Sequence, residues 1–281
     1  MSRIIYIAGL GHSGTTLLDI SLGTVNEITG LGEVRTLMDD QSLDRHFSSY
    51  CSCGARANEC VFWSGIPEIL KNLDTAKDKY EAILEHLDQR VNKNQVAVDS
   101  SKNSESYLEY LDKNHDLKVL FITRDIRSWC YTRHLSTGKP VAYFILRWFL
   151  ENLKLIRRIK SMGIEPIFIG YEEIALFPGK MLKYISGKTG IEYSENMLNP
   201  VVSNSHIISG NIARVDPEKR SGWYYDARWF LSARMMFWSP LLLFFRKMNK
   251  RLVYSNIGGS SMKSFYMFGT ARKREMDREF N

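Results

Sequence analysis

Arg3-Ile-Ile-Tyr-Ile-Ala-Gly9-Leu-Gly11-His12-Ser13-Gly14-Thr15-Thr16-Leu17-Leu18 runs from an apolar stretch through three glycines into a second apolar stretch. Ile4 to Ala8 are apolar on consecutive positions, which is how a strand buried on both faces of a parallel sheet reads. The residues after Gly14 begin a helix. A strand, a glycine loop and a helix N-terminus in that order surround one point with backbone N–H groups and the positive end of a helix dipole, so the segment is built to hold an anion such as phosphate. Similar short runs follow at Val96 to Val98, Val119 to Ile122 and Ile167 to Ile169. Between them lie segments of helical period: Tyr80, Ile83, Leu84, Leu87, Val91, and the stripe Val141, Phe144, Ile145, Trp148, Phe149, Leu155, Ile156, Ile159. The alternation predicts an α/β fold with a P-loop-type parallel sheet flanked by helices.

Residue totals agree with this reading. The chain has 281 residues, 44% of them hydrophobic and 25% charged, which suits one α/β domain with insertions and excludes disorder, collagen and coiled coil. Residues 39–95 read as an insertion and helical acceptor-side region, and 271–281 as a charged tail. The net charge of +7 suits an anionic ligand without naming one. The basic residues are scattered, so no nucleic-acid partner is expected. Trp229 to Phe245 is the longest apolar candidate, but Arg234 and Pro240 interrupt it, which argues against a membrane span. Core packing is its commoner use; Arg246, Lys247, Lys250 and Arg251 behind it suggest peripheral contact with an anionic membrane as the other. The first residues lack a signal-peptide cleavage pattern, so a cytoplasmic location is expected.

The glycine spacing fits two frames. Gly9, Gly11 and Gly14 match G-x-G-x-x-G, and Gly9 to Gly14 match the glycine frame of a Walker A loop. Thr15 stands where a nucleoside triphosphatase needs Lys, which weakens a kinase-like phosphotransferase. A dinucleotide fold wants an acid about 20 residues on, at the end of a second strand. Glu33 has the distance, but Thr29-Gly30-Leu31-Gly32 before it reads as a glycine turn. A plain strand-to-helix turn, or a nucleotide-binding protein without catalysis, stays open.

His12-Ser13-Gly14-Thr15-Thr16-Leu17-Leu18 resembles the phosphosulfate loop of sulfotransferases that use 3′-phosphoadenosine 5′-phosphosulfate, with His12 at a position usually Lys or Arg. Arg124-Asp125-Ile126-Arg127 resembles that family's R-D-P-R segment. Gly170-Tyr171-Glu172-Glu173-Ile174 resembles its Y-E-D-L segment, Asp99-Ser100-Ser101-Lys102 the D-S-S-K of bacterial members, Gly210 to Arg214 their G-N-x-x-R, and Gly32-Glu33-Val34-Arg35 the G-E-T-R of tyrosylprotein sulfotransferases. The matches span residues 3 to about 230. The resemblance implies a sulfotransferase-like fold and transfer of a sulfuryl group to an acceptor hydroxyl, with a glycan or lipid favoured and no metal required.

On that resemblance His12, Ser13, Gly14, Thr15 and Thr16 hold the 5′-phosphosulfate, Arg124 and Thr132 bracket the 3′-phosphate, and Arg214 reaches the same phosphate. Glu33 is the base and Lys102 stabilises the leaving oxygen; Arg35, Asp99 and His206 lie on the substrate side, with His206 or His12 as the alternative base. Tyr171 and Glu172 are expected to be structural. His12 carries charge at neutral pH only if its site raises its pKa. Cys51, Cys53 and Cys60 suggest metal ligation, with Cys130 or His46 as a fourth ligand, but packed reduced thiols or an occasional disulfide are the expectation, and no metal is assigned.

Overall fold

Every position from Ile4 to Ala8 is buried, and this run is the centre of a five-stranded sheet in the computed structural model, which describes residues 1–90, 95–103 and 107–256. The strands are β1 (Arg3–Gly9), β2 (Ile28–Gly32), β3 (Val96–Lys102), β4 (Asp116–Thr123) and β5 (Ile167–Gly170), all parallel, in the order β2-β3-β1-β4-β5. The helices are α1 (Thr15–Leu22), α2 (Asp40–Phe47), α3 (Ile66–Lys71), α4 (Ala76–Arg90), α5 (Leu108–Asn114), α6 (Ile126–Thr137), α7 (Val141–Ser161), α8 (Tyr171–Leu176), α9 (Pro178–Thr189) and α10 (Ala233–Val253). Side chains alternate along β1. Ile4, Tyr6 and Ala8 pack with Phe47, Trp63, Tyr80 and Leu108 on one face, whereas Ile5 and Ile7 pack with Leu18, Leu22, Met181 and Leu182 on the other. Both faces are covered, which a parallel sheet requires. The α/β expectation holds, as do the four strands read from sequence; Val91 and residues 271–281 lie outside the described residues.

Two expectations need correction. Residues 29–32 belong to β2 and are not a turn. Their glycines hide the strand from a pattern reading, and packing requires them: a Cβ at Gly30 would lie 2.1 Å from Asp19 Oδ1 and 2.3 Å from Ser205 Oγ. Because β3 separates β2 from β1, the sheet departs from the dinucleotide order, in which the second strand neighbours the first. The outer edge of β2 is covered by residues 204–209, with His206 N donating to Gly30 O at 2.9 Å and Glu33 N donating to Ser209 O at 3.2 Å.

The second correction concerns α10. One side packs on the cluster formed by α6 and α7, but Met236, Phe237, Leu243 and Phe244 are exposed, Phe244 by 81%. Core packing therefore accounts for only part of the stretch. Tyr143, Leu146 and Leu150 of α7 are exposed as well. Among the described residues no helix is long and apolar enough to cross a membrane.

Asp19, in the middle of α1, is fully buried. Its Oδ2 accepts from Ser100 Oγ at 2.7 Å and from Gly32 N at 3.0 Å, so one carboxyl ties the helix to β3 and β2. Burial pushes this carboxyl up to about 8, against the pull of those two hydrogen bonds. Asp99 and Glu172, also buried, are pushed up to about 7 and about 8. A raised folded-state value makes the native state bind protons that the unfolded chain releases above its ordinary carboxylate range, so stability is lost as pH rises toward 8. The melting temperature should therefore decline between pH 5 and 8, and Asp19→Asn should make that decline shallower. Parallel melting curves across this range for the two proteins would contradict the assignment.

Candidate functional site

At the carboxyl end of β1 the chain turns sharply enough that only glycine fits twice. Gly9 has φ +152°, and a Cβ there would lie 2.3 Å from Ile122 O; Gly14 has φ +95°, and its Cβ would lie 2.5 Å from the Tyr171 ring. His12 is left-handed at φ +70° although it carries a side chain, a conformation that costs energy and is held by its surroundings. Trp129 Nε1 donates to Gly11 O at 2.8 Å, Arg124 donates to His12 O at 3.2 Å, and Ser13 N closes the turn on Leu10 O at 3.1 Å. The N–H groups at the start of α1 have no intrahelical acceptor. Ser13, Thr15 and Thr16 are buried beneath this turn. Tyr171 supports it, stacked 5.2 Å from the Arg124 guanidinium, and Glu172 accepts from Asp125 N at 2.8 Å, in keeping with structural roles.

Glu33 follows β2 and Lys102 ends β3; the two side chains form an ion pair. Lys102, at φ +75°, is the other non-glycine residue in the left-handed region among the described residues. Gly210 brings the pair to the helix, since a Cβ there would lie 3.4 Å from Thr16 Oγ1 and 3.6 Å from Glu33 Oε1. Asn211 N donates to Thr16 Oγ1 at 3.4 Å. The expected base, the expected stabiliser and the start of α1 are thus neighbours. Asp99 is not on the substrate side: it is fully buried, holding Ser101 N at 2.9 Å and the Tyr80 hydroxyl at 3.2 Å. Through Ser101 Oγ, which accepts from Arg35 N at 2.9 Å, it shapes the strand end that carries Lys102. The Arg35 side chain itself is exposed.

Arg124 and Thr132 do converge, but on the Asp226 carboxylate, at 2.7 and 3.4 Å. Arg228 grips the same carboxylate from the other side at 2.8 Å. Burial opposes ionisation of Asp226, yet Arg228 and Arg124 hold its pKa below the ordinary value. His12 Nε2 lies 2.8 Å from Arg133 Nη1, which makes it the acceptor of that hydrogen bond. Loss of solvation, then Arg133, Lys102 and Arg124, lower its pKa, so it does not supply the charge of the usual Lys or Arg. Arg214 donates to Tyr50 O, beside the cysteine loop, and is not brought to Arg124 and Thr132; Gly210 and Asn211 of the same segment reach the helix instead. Arg228, Arg133 and Asp19 escaped sequence reasoning, and Asp226, which follows the Gly210–Arg214 segment in the resemblance to bacterial members, carried no assigned role. Only Arg133, nine residues after Arg124 on α6, had a positional signal.

His206 is with the thiols. Its Nδ1 lies 3.2 Å from Cys60 Sγ and 3.9 Å from Cys51 Sγ, and its ring stacks on Phe62, which removes it as an acceptor base. Cys130 is buried in a different cluster with Trp129 and Phe144, and His46 lies on α2 outside the group of possible ligands.

No family model matches the sequence, and no match is found among curated proteins. Solved structures do match. The sulfotransferase domain of the Synechococcus PCC 7002 olefin synthase is 17% identical, with a TM-score of 0.51 over 86% of this chain and 94% of that one. The sulfotransferase domain of the curacin biosynthetic pathway is 14% identical, with a TM-score of 0.51 over 86% and 98%. The chain has the fold of these sulfotransferase domains.

Histidine proton resonances should show His12 titrating below the ordinary value of about 6.5. Arg133→Ala should move its midpoint upward by removing the nearest cation. An unchanged midpoint in that variant would contradict the contact.

Proposed function

We propose that the protein is a sulfotransferase that moves a sulfuryl group from 3′-phosphoadenosine 5′-phosphosulfate to an acceptor hydroxyl. What supports this most is the meeting of the Glu33–Lys102 pair with the anion-facing start of α1 at Gly210. The two alternatives, a kinase-like phosphotransferase and a nucleotide-binding protein without catalysis, fit less well. Thr15 cannot replace the phosphate-holding Lys of a kinase, and a binding protein without catalysis gives no reason to set a carboxylate and an ammonium side by side at the anion site.

In this reading the N–H groups of Gly14, Thr15 and Thr16 hold the 5′-phosphosulfate. The acceptor oxygen attacks sulfur in line; an O–S bond forms as the S–O bond to the 5′-phosphate breaks. Glu33 takes the hydroxyl proton, and Lys102 meets the negative charge that grows on the leaving oxygen. Each is the other's partner in the free protein, so substrate exchanges one ion pair for two separate contacts. The 3′-phosphate likewise takes the place of the Asp226 carboxylate between Arg124, Thr132 and Arg228. Arg35, exposed beyond Glu33, lies on the acceptor side.

Adenosine 3′,5′-bisphosphate should raise the melting temperature by binding the native state, and AMP should do so far less. Glu33→Gln keeps that shift while transfer from labelled donor falls by a factor on the order of a hundred to ten thousand, the usual loss for a general base. Lys102→Ala also lowers turnover. Equal shifts with both nucleotides, or near-normal transfer by Glu33→Gln, would defeat the proposal; ATP turnover dependent on magnesium would favour the kinase reading.

The acceptor is a glycan or lipid in this proposal, met at the cytoplasmic face of a membrane. The exposed apolar stripe of α10 and α7, flanked by Arg246, Lys247 and Arg251, suits an anionic surface because apolar insertion and charge attraction act together. The protein should float with anionic vesicles at low salt, and Phe237→Ser with Phe244→Ser should abolish flotation. Retention in the soluble fraction, with gel filtration reporting a dimer, would give this face to a second copy instead.

A further inference from the structure

Cys51, Cys53, Cys60 and His206 bring three sulfurs and one imidazole nitrogen within 4.8 Å of one another. Cys60 Sγ is 3.7 Å from Cys51 Sγ and 3.7 Å from Cys53 Sγ, and 3.2 Å from His206 Nδ1. These separations are far beyond a disulfide bond of about 2.05 Å, and all four cysteines of the chain are free thiols. They match the edges of a tetrahedron instead: metal–sulfur bonds of about 2.3 Å at tetrahedral angles put two sulfurs about 3.8 Å apart.

We infer that Cys51, Cys53, Cys60 and His206 form a structural zinc site. Thiolate with imidazole is the donor set that suits zinc and disfavours magnesium or calcium. Four protein ligands leave no open position, so the ion would hold the fold and take no part in the reaction.

The shell around the donors is already built. The loop closes through Cys51 N to Ala55 O at 2.8 Å and Gly54 N to Cys51 O at 3.0 Å, with Gly54 at φ +94°. His206 is fixed in three ways: its ring stacks on Phe62 at 5.3 Å, its carbonyl accepts from Trp63 Nε1, and its N–H pairs with Gly30 O. Packed thiols alone would face their apolar neighbours; here they face one another. Cys53 is exposed, which gives an ion a way in. Binding sends the thiol protons to solvent.

The ligands come from two distant stretches. Cys51 to Cys60 belong to the insertion, whereas His206 lies on the segment that covers β2. The ion would therefore fasten the insertion to the segment ending at Gly210, beside Glu33.

The whole chain, produced with zinc supplied and freed of loose metal by gel filtration, should carry one zinc ion per molecule by mass spectrometry of the metal. Replacing it with cobalt(II) should give sulfur-to-cobalt charge-transfer absorption and the intense visible bands of a tetrahedral site. Cys53→Ser, at an exposed position, should fold yet weaken zinc retention at least tenfold and dim the cobalt bands; Cys130→Ala should leave both unchanged. Chelation should lower the melting temperature of the unaltered protein and not that of Cys53→Ser. Absence of zinc after equilibration with excess metal, disulfides found by alkylation of the fresh protein, or identical zinc content and spectra in Cys53→Ser would overturn the site. None of these readouts depends on transfer activity, so the inference stands or falls separately from the proposed reaction.

Discussion

A single buried carboxyl joins the parts of the candidate site. Asp19 sits on the helix that follows the glycine loop, and its Oδ2 holds Gly32 N, one residue before Glu33, and Ser100 Oγ, two residues before Lys102. The helix, the approach to Glu33 and the approach to Lys102 are thereby referred to one atom. A hydrogen bond in a dry interior is strong and an unmade one is costly, so this joint tolerates little displacement. Gly30 and Gly32 exist as glycines because this joint and the segment over β2 leave no room for a Cβ.

Opposite charges already satisfy one another across the site. Glu33 pairs with Lys102, Asp226 with Arg124 and Arg228, and Asp125 with Arg127, Asn249 and Tyr254. A charge removed from water without a partner is heavily penalised, so cations this sheltered need internal anions beside them. Asp125 differs from the other two. Burial opposes its ionisation, but Arg127 and the amide of Asn249 bring it down to about 2, and every oxygen is used to cap α6 and fix the end of α10. That pair is architectural, whereas the proposed reaction would open the other two.

The strands β1, β3, β4 and β5 were legible because consecutive apolar residues mark burial on both faces. β2 was not, since its glycines mimic a turn and their cause lies in contacts from Asp19 on the preceding helix and from Ser205, far away in sequence. The glycine loop, Glu33 and Lys102 were readable as residue types at strand ends, and the fold brings them together. Arg214 and Asp99 were misplaced for a common reason: a motif gives the order of residues but not which way each side chain points. Asp99 points inward from β3 to Tyr80, and Arg214 turns to Tyr50 O. His206 was equally opaque, because nothing in its neighbourhood along the chain mentions Cys51 or Cys60. Ion partners such as Arg228 have no local signature at all.

The covering of β2 by residues 204–209 has a consequence for how the chain acquires its shape. Four strands are complete by Thr123, yet the outermost one keeps a bare edge until a segment more than eighty residues later comes back to pair with it. Bare strand edges invite pairing with other chains, and contacts between distant residues form slowly because the intervening loop must be ordered first. The sheet is therefore most vulnerable to association during synthesis, after β4 has emerged and before Ser209 has. The same event that closes this window carries Gly210 to Thr16 and Glu33, so protection of the sheet and completion of the site occur in one step.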